Sequence, residues 1–184
     1  MTPTTGARPG GRSARIQQAV HDATRELLHE VARDELTVPV IAARAGVNPT
    51  TIYRRWGDLA ALLSDVAADR FRQNDSPPST GSLRGDLATW AEHFLEEMGS
   101  GPGRSYVADV LAGDQTGKNA GICARYAGDA VAEILARHPD GPTVDEVLDQ
   151  VVAPILYRLL FATDRSTDGY ATLLVERLLK TYDR

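Results

Sequence analysis

Apolar residues set the first element of this chain. Ile16, Val20, Ala23, Leu27 and Val31 recur at spacings of 4, 3, 4 and 4, which traces one face of an amphipathic helix of about five turns. Ser13 is the expected cap, with the helix running from Ala14 to near Arg33–Glu35. Thr37 is predicted to cap a second, short helix with Pro39 in its first turn and Val40, Ile41 and Ala45 on its inner face. Gly46 then stands where a left-handed backbone is needed, and Val47 turns into the core. Asn48 caps a third helix with Pro49 at its first position. Ile52 and Trp56 point inward, which leaves Thr50, Thr51, Tyr53, Arg54 and Arg55 outside. Asp58 caps a fourth helix, whose apolar groups are Leu59, Leu62, Leu63, Val66 and Phe71.

Residues 75–82, DSPPSTGS, have the composition of a linker. A helix from Leu83 to about Met98 follows, with Leu87, Trp90, Phe94 and Met98 on one stripe, and GSGPG at 99–103 is expected to break it. Arg104–Ala112 is only loosely patterned. Between about Gln115 and His138 the glycines at 117, 121 and 128 dilute a helical pattern kept by Ile122, Tyr126, Ile134 and Leu135. His138-Pro139-Asp140-Gly141-Pro142 is a stop. Thr143 with Glu146 makes a capping box. The helix it opens has Val144, Val147, Leu148, Val151, Val152, Ile155, Leu156, Leu159 and Leu160 on more than one face, and so demands packing on each side. A last helix holds Tyr170, Leu173, Leu174, Leu178 and Tyr182. No segment alternates as a strand would. The expectation is an all-α protein of roughly nine helices, divided into a basic arm at 1–12, a small helical head at 13–58 and a larger body at 59–184.

Charge sharpens this division. Residues 1–57 hold eight Arg, no Lys and five acids, a net of +3, whereas 58–184 hold 12 basic and 20 acidic residues, a net of −8. A basic head on an acidic body directs only the head towards a polyanion. The Gly- and Arg-bearing arm fits either a frayed terminus or a strand that follows nucleic-acid backbone. One cysteine, Cys123, allows no intrachain disulfide and fits a reducing compartment; as a small buried hydrophobe it needs no redox role. No apolar run is long enough for a membrane span and no secretory signal opens the chain, so the cytoplasm is the expected location and no membrane partner is expected. His21, His29, His93 and His138 have no metal-ligand spacing. There is no His-Glu-x-x-His, no Gly-rich phosphate loop and no nucleophile elbow. Neither a metal, a cofactor nor an enzymatic centre is called for.

Two helices joined at a glycine, the second polar outside, form either a helix-turn-helix or a plain hairpin within a bundle. A major groove about 12 Å wide admits a helix with a compact tip and donors beyond it. Pro49, Thr50 and Thr51 supply the tip, Arg55 and secondarily Arg54 the donors, and Tyr53 a hydroxyl within reach of phosphate. IAARAGVNPTTIYRRW, with an amphipathic helix before it and an Asp-capped leucine-rich helix after it, resembles the DNA-binding domain of the TetR/AcrR family of transcriptional regulators. APILYRLLF at 153–161 resembles a dimerisation helix from one of that family's C-terminal domain types. The resemblance implies a repressor that binds double-stranded DNA at a palindromic operator as a homodimer and is released by a small-molecule effector. It implies phosphate contacts from Thr37 and Tyr53, and base contacts from Pro49, Thr50, Thr51, Arg55 and Arg54. One position departs: the family's usual lysine at the start of the fourth helix is Leu59 here, beside the acidic Asp58. A non-enzymatic helical adaptor is the alternative function, and a small-molecule-processing enzyme a more distant one.

In the body, Trp90, Phe94 and Met98, with His93 and Tyr126 as polar partners, read either as the wall of an effector pocket or as ordinary helix core. Dimerisation is expected through the last two helices, at Val151, Ile155, Tyr157, Arg158, Leu159, Leu174 and Leu178, with Tyr and Arg being residue types enriched at interfaces.

Overall fold

In the computed structural model the described residues are 10–70, 76–164 and 167–182, and none of them forms a strand. The chain divides into two compact units, one ending at Val66 and one beginning at Ala67.

The first unit contains α1 (Gly10–Glu30), a 3-10 turn (Arg33–Glu35), α2 (Val38–Ala45), α3 (Pro49–Trp56) and the start of α4 (Leu59–Arg70). The first described residue is already helical, so Ser13 lies inside α1 instead of capping it; residues 1–9 of the expected arm fall outside the described residues. The short helices are set by their ends. Thr37 Oγ1 accepts from the Val40 N–H at 3.4 Å, and Asn48 Oδ1 accepts from the Thr50 N–H at 2.9 Å. Gly46 adopts φ 65°, while the N–H groups of Gly46 and Val47 close on the carbonyls of Ala43 and Ala42. That pair of bonds ends α2 and aims α3 across it. Val20, Leu27, Leu36, Val38, Ile41, Ala42, Ile52, Leu62, Leu63 and Val66 form the core. Because three of these come from α4, the unit extends past residue 58, the expected limit of the head. Phe71 lies outside the described residues.

The second unit contains α5 (Leu83–Gly99), α6 (Gly101–Gly113), α7 (Lys118–Ala136), α8 (144–161) and α9 (Tyr170–Leu179). With α1–α4 this makes nine helices among the described residues. The stretch with linker composition is tied down. Thr80 donates to Asp86 Oδ1 from both its backbone N–H and its hydroxyl, and Arg137 donates to the Pro78 carbonyl at 2.6 Å. Arg137 and His138 also reach Asp86 Oδ2, at 3.1 and 3.2 Å. These bonds, the Thr80 N–H foremost, hold the buried Asp86 carboxyl well below the ordinary carboxylate range. GSGPG is likewise a corner and not a gap. Ser100 ends α5 and caps α6, and Gly103 sits so close to α5 that a Cβ there would lie 2.0 Å from the Glu97 carbonyl oxygen.

Helix α8 opens with the expected capping box, Thr143 with Glu146. It runs as Val144–Val147, a π-helical turn Leu148–Val152, and Ala153–Phe161, with the Ala153 N–H bonded to the Leu148 carbonyl. Pro154 supplies the reason. Its ring crowds the carbonyl four residues back, at Gln150, and it brings no N–H; widening the preceding turn relieves the clash. Leu87, Trp90, Phe94 and Met98 of α5 pack in the body core with Val131 and Ile134 of α7. Val151, Ile155 and Leu159 of α8, and Leu174 and Leu178 of α9, lie in that same core. These five residues, expected at the dimer interface, are buried within their own chain. Most of the packing that the two-sided α8 demands is supplied by α5, α7 and α9.

Candidate functional site

Helix α3 offers its outer face as predicted by its pattern. Ile52 is fully buried, Pro49, Thr51 and Trp56 are half-buried, and Thr50, Tyr53, Arg54 and Arg55 are exposed. Thr37, at the head of α2, is exposed as well. The hydroxyl of Thr50 donates to Asn48 Oδ1 at 2.7 Å, which leaves its methyl as the group able to meet a thymine methyl. The two arginines differ. Arg55 donates to Ser13 Oγ at 2.8 Å and to Gln17 Oε1, and its guanidinium lies 5.3 Å from the centre of the Trp56 ring. It is folded onto α1. Arg54 has no hydrogen-bond partner among the described residues and extends from the same face. The helical pattern does not show this difference, since a helical wheel does not reveal which cation a neighbouring helix captures.

Behind α3 stands a polar cluster that sequence reasoning missed. Asp65 Oδ2 accepts from Trp56 Nε1 at 2.9 Å and Gln17 Nε2 at 3.2 Å, and lies 3.0 Å from His21 Nε2. His21 is only 1% exposed. One carboxylate on α4 therefore fixes side chains of α1 and α3 together, and through Gln17 it also steadies Arg55. The signal was present in the positions: His21 follows buried Val20, and Asp65 precedes buried Val66. On the opposite edge Arg44 of α2 bridges Glu26 and Glu30 of α1 at 3.2 and 3.0 Å. The bonds to Arg44 hold the Glu30 carboxyl below its ordinary value and occupy one more of the head's cations.

At the start of α4, Asp58 Oδ1 accepts from the Ala61 N–H at 2.8 Å. Leu59 packs half-buried against the head core, so the residue that departs from the family habit has a packing role here.

The body holds an apolar cavity of about 400 Å³. Phe94 and Met98 of α5, Val110 of α6, Tyr126 of α7 and Leu156 of α8 are among its walls. Two of the sequence candidates are elsewhere. Trp90 is stacked on Phe94 with ring centres 5.5 Å apart, inside the core and off the cavity wall. His93 is exposed and does not line it; one residue short of Phe94, it is rotated about 100° away on the helix. The Tyr126 hydroxyl donates to Glu97 Oε2 at 3.2 Å. The Cys123 thiol on the wall is pushed up to about 11 by burial and by the Asp114 carboxylate, so it is neutral at physiological pH. Tyr157 is 65% and Phe161 74% exposed on α8, while Arg158 is half-buried with its guanidinium 3.3 Å from the centre of the Tyr170 ring.

A short recognition helix braced across a glycine turn, with arginines on its open face, defines a helix-turn-helix DNA-binding protein. Residues 20–66 match the profile of bacterial regulatory proteins of the tetR family, and residues 77–178 match the tetracyclin repressor-like C-terminal domain. The chain therefore belongs to the TetR family of transcriptional regulators. It is 41% identical over 76 residues to the uncharacterized HTH-type transcriptional regulator Rv1556 of Mycobacterium tuberculosis, a match covering 41% of this chain and 38% of that one. It is 36% identical over 92 residues to the HTH-type transcriptional regulator AqdR of Rhodococcus erythropolis, covering 50% and 44%. These two matches thus span less than half of either relative. YdeS of Bacillus subtilis is similar along nearly the whole chain, 26% identical over 180 residues with 92% and 90% covered. The crystal structure of a TetR-family transcriptional regulator from Mesorhizobium loti shares the fold at a TM-score of 0.59 and 14% identity, covering 92% of this chain and 98% of that one. No described helix is long and apolar enough to cross a membrane.

Proposed function

We propose that this regulator is a repressor that binds a palindromic operator as a homodimer and leaves it when a small molecule enters the body cavity. The observation that carries this reading is the face of α3: Thr50, Tyr53, Arg54 and Arg55 exposed together on a helix fixed at one end by Gly46 and Asn48 and from behind by Asp65. Thr50 and Thr51, with Pro49 shaping the tip, meet base edges. Arg54 reaches guanine or phosphate, Tyr53 and Thr37 hold phosphate, and Arg55 joins them once DNA competes for its guanidinium. Two such helices about 34–36 Å apart fit successive major grooves. An apolar molecule that binds better to a dimer of different spacing shifts the population off DNA. The dimer face is centred on the exposed residues Tyr157 and Phe161 with Arg158 beside them.

Selection of bound DNA from a random pool tests this directly. The expected result is an inverted repeat whose half-sites are separated by about one helical turn, bound far more weakly by the Tyr53→Ala, Arg54→Ala double variant. Recovery of no preferred sequence, or of a single unrepeated site, overturns the repressor-dimer reading and favours an adaptor.

A further inference from the structure

The lining of the body cavity has a charge character that selects its occupant. None of the described lining residues is Arg, Lys or His; the single acidic residue among them is Asp149. Asp149 is exposed, which places its carboxylate at the mouth of the cavity and not in its floor. The remaining polar groups on the wall are the Tyr126 phenol, whose O–H donates a hydrogen bond to the Glu97 carboxylate, and the neutral Cys123 thiol. The π-helical turn contributes Leu148, Asp149 and Val152 to the wall. An anion placed inside would meet no counter-charge and only the weak S–H donor of Cys123, and an unpaired buried charge is costly. A protonated amine meets a carboxylate at the mouth and aromatic faces at Phe94 and Tyr126.

We infer that the effector of this regulator is a lipophilic amine, bound as its cation with its apolar body between Phe94, Met98 and Leu156 and its nitrogen towards Asp149. This rests on the reading of the cavity as the effector site and adds the chemical class. A volume of about 400 Å³ lies within the usual range for small-ligand sites and admits an extended alkyl chain or a fused pair of rings.

Decylamine, decanol and decanoate share one apolar body and differ in the terminal group, so they separate the contributions. Their dissociation constants for the full-length protein are to be measured by calorimetry, with the rate of Cys123 alkylation as a reporter of occupancy. Decylamine is expected to bind at least tenfold more tightly than decanoate and more tightly than decanol, and to slow alkylation. Asp149→Asn is expected to reduce the advantage of decylamine over decanol about fivefold, in line with one partly screened ion pair, and to leave decanol binding unchanged. Binding of decanoate as tight as that of decylamine, or an amine preference that survives Asp149→Asn, overturns the inference while leaving the effector site in place. Failure of all three probes to bind, or binding that does not protect Cys123, overturns the effector-site reading itself and the inference with it. The loss of operator binding on adding decylamine is followed separately by anisotropy. Retention of full operator affinity by the amine-saturated protein shows that the occupant is not an effector and overturns both.

Discussion

Arg54 and Arg55 are adjacent and chemically identical, and the structure separates them. Arg54→Ala removes an outward cation and nothing from the fold, so it should weaken specific DNA binding about tenfold, the scale of one good base contact, at constant melting temperature. Arg55→Ala also loses the bonds to Ser13 and Gln17. It should therefore cost about 1 kcal/mol of stability, seen as a lower melting temperature in parallel scans of the two variants. Equal melting temperatures would show that the Arg55 bonds do not contribute. Leu59→Lys tests a second position. A lysine there restores a charge at the start of α4 and should steepen the log–log salt dependence of DNA binding by about 0.9, with a modest loss of stability because Leu59 packs against the head core. A variant with unchanged slope would remove this position from the DNA contact set. These distinctions were only half legible in the sequence. The pattern put Thr50, Tyr53, Arg54 and Arg55 on one face, because burial of Ile52 and Trp56 fixes the phase of the helix. It could not show that Gln17 of α1 reaches one arginine and misses the other, since that depends on how two helices cross.

Elements with strong ends were legible; elements joined by tertiary bonds were not. Thr37, Gly46, Asn48 and the Thr143–Glu146 box act on their own neighbours within a few residues, and each sits where its side chain or φ angle predicts. Gly46→Ala forces a Cβ into the left-handed region and should cost about 1 kcal/mol, measured by thermal or urea unfolding. By contrast, DSPPSTGS reads as a linker because its composition is all that a local window sees. Asp86 and Arg137 hold it from elsewhere in the chain, and His138 in turn reaches Asp86. The Asp86 carboxyl is depressed in the folded state, so its contribution to stability is complete above the unfolded carboxylate value of about 3.9 and is lost as pH falls through the lower folded value. Melting temperature should therefore fall on acidification below about pH 4, and Asp86→Asn should flatten that dependence while lowering stability at neutral pH. An unchanged acid limb in Asp86→Asn would show that other carboxylates set it.

For the molecule as a whole, the pattern of α8 and α9 correctly asked for extensive apolar packing, and the structure satisfies most of that demand within one chain. What remains outside is small and specific: Tyr157 and Phe161 on α8 and Leu173 on α9. Tyr157→Glu with Phe161→Glu should yield a folded monomer by sedimentation that has lost operator binding; a variant that stays dimeric would move the interface elsewhere. The π turn bears on how this chain is compared with others. Such a turn is equivalent to one residue inserted into an α-helix, and everything beyond it is rotated by about 100° relative to the uninterrupted helix. Relatives whose corresponding helix lacks the proline and the turn should be one residue shorter between positions 148 and 152. An alignment without a gap there would pair Tyr157 with a residue facing another way. The turn thus absorbs one added residue within positions 148–152, so that the half of α8 beyond it can keep its facing although the chain is longer by one.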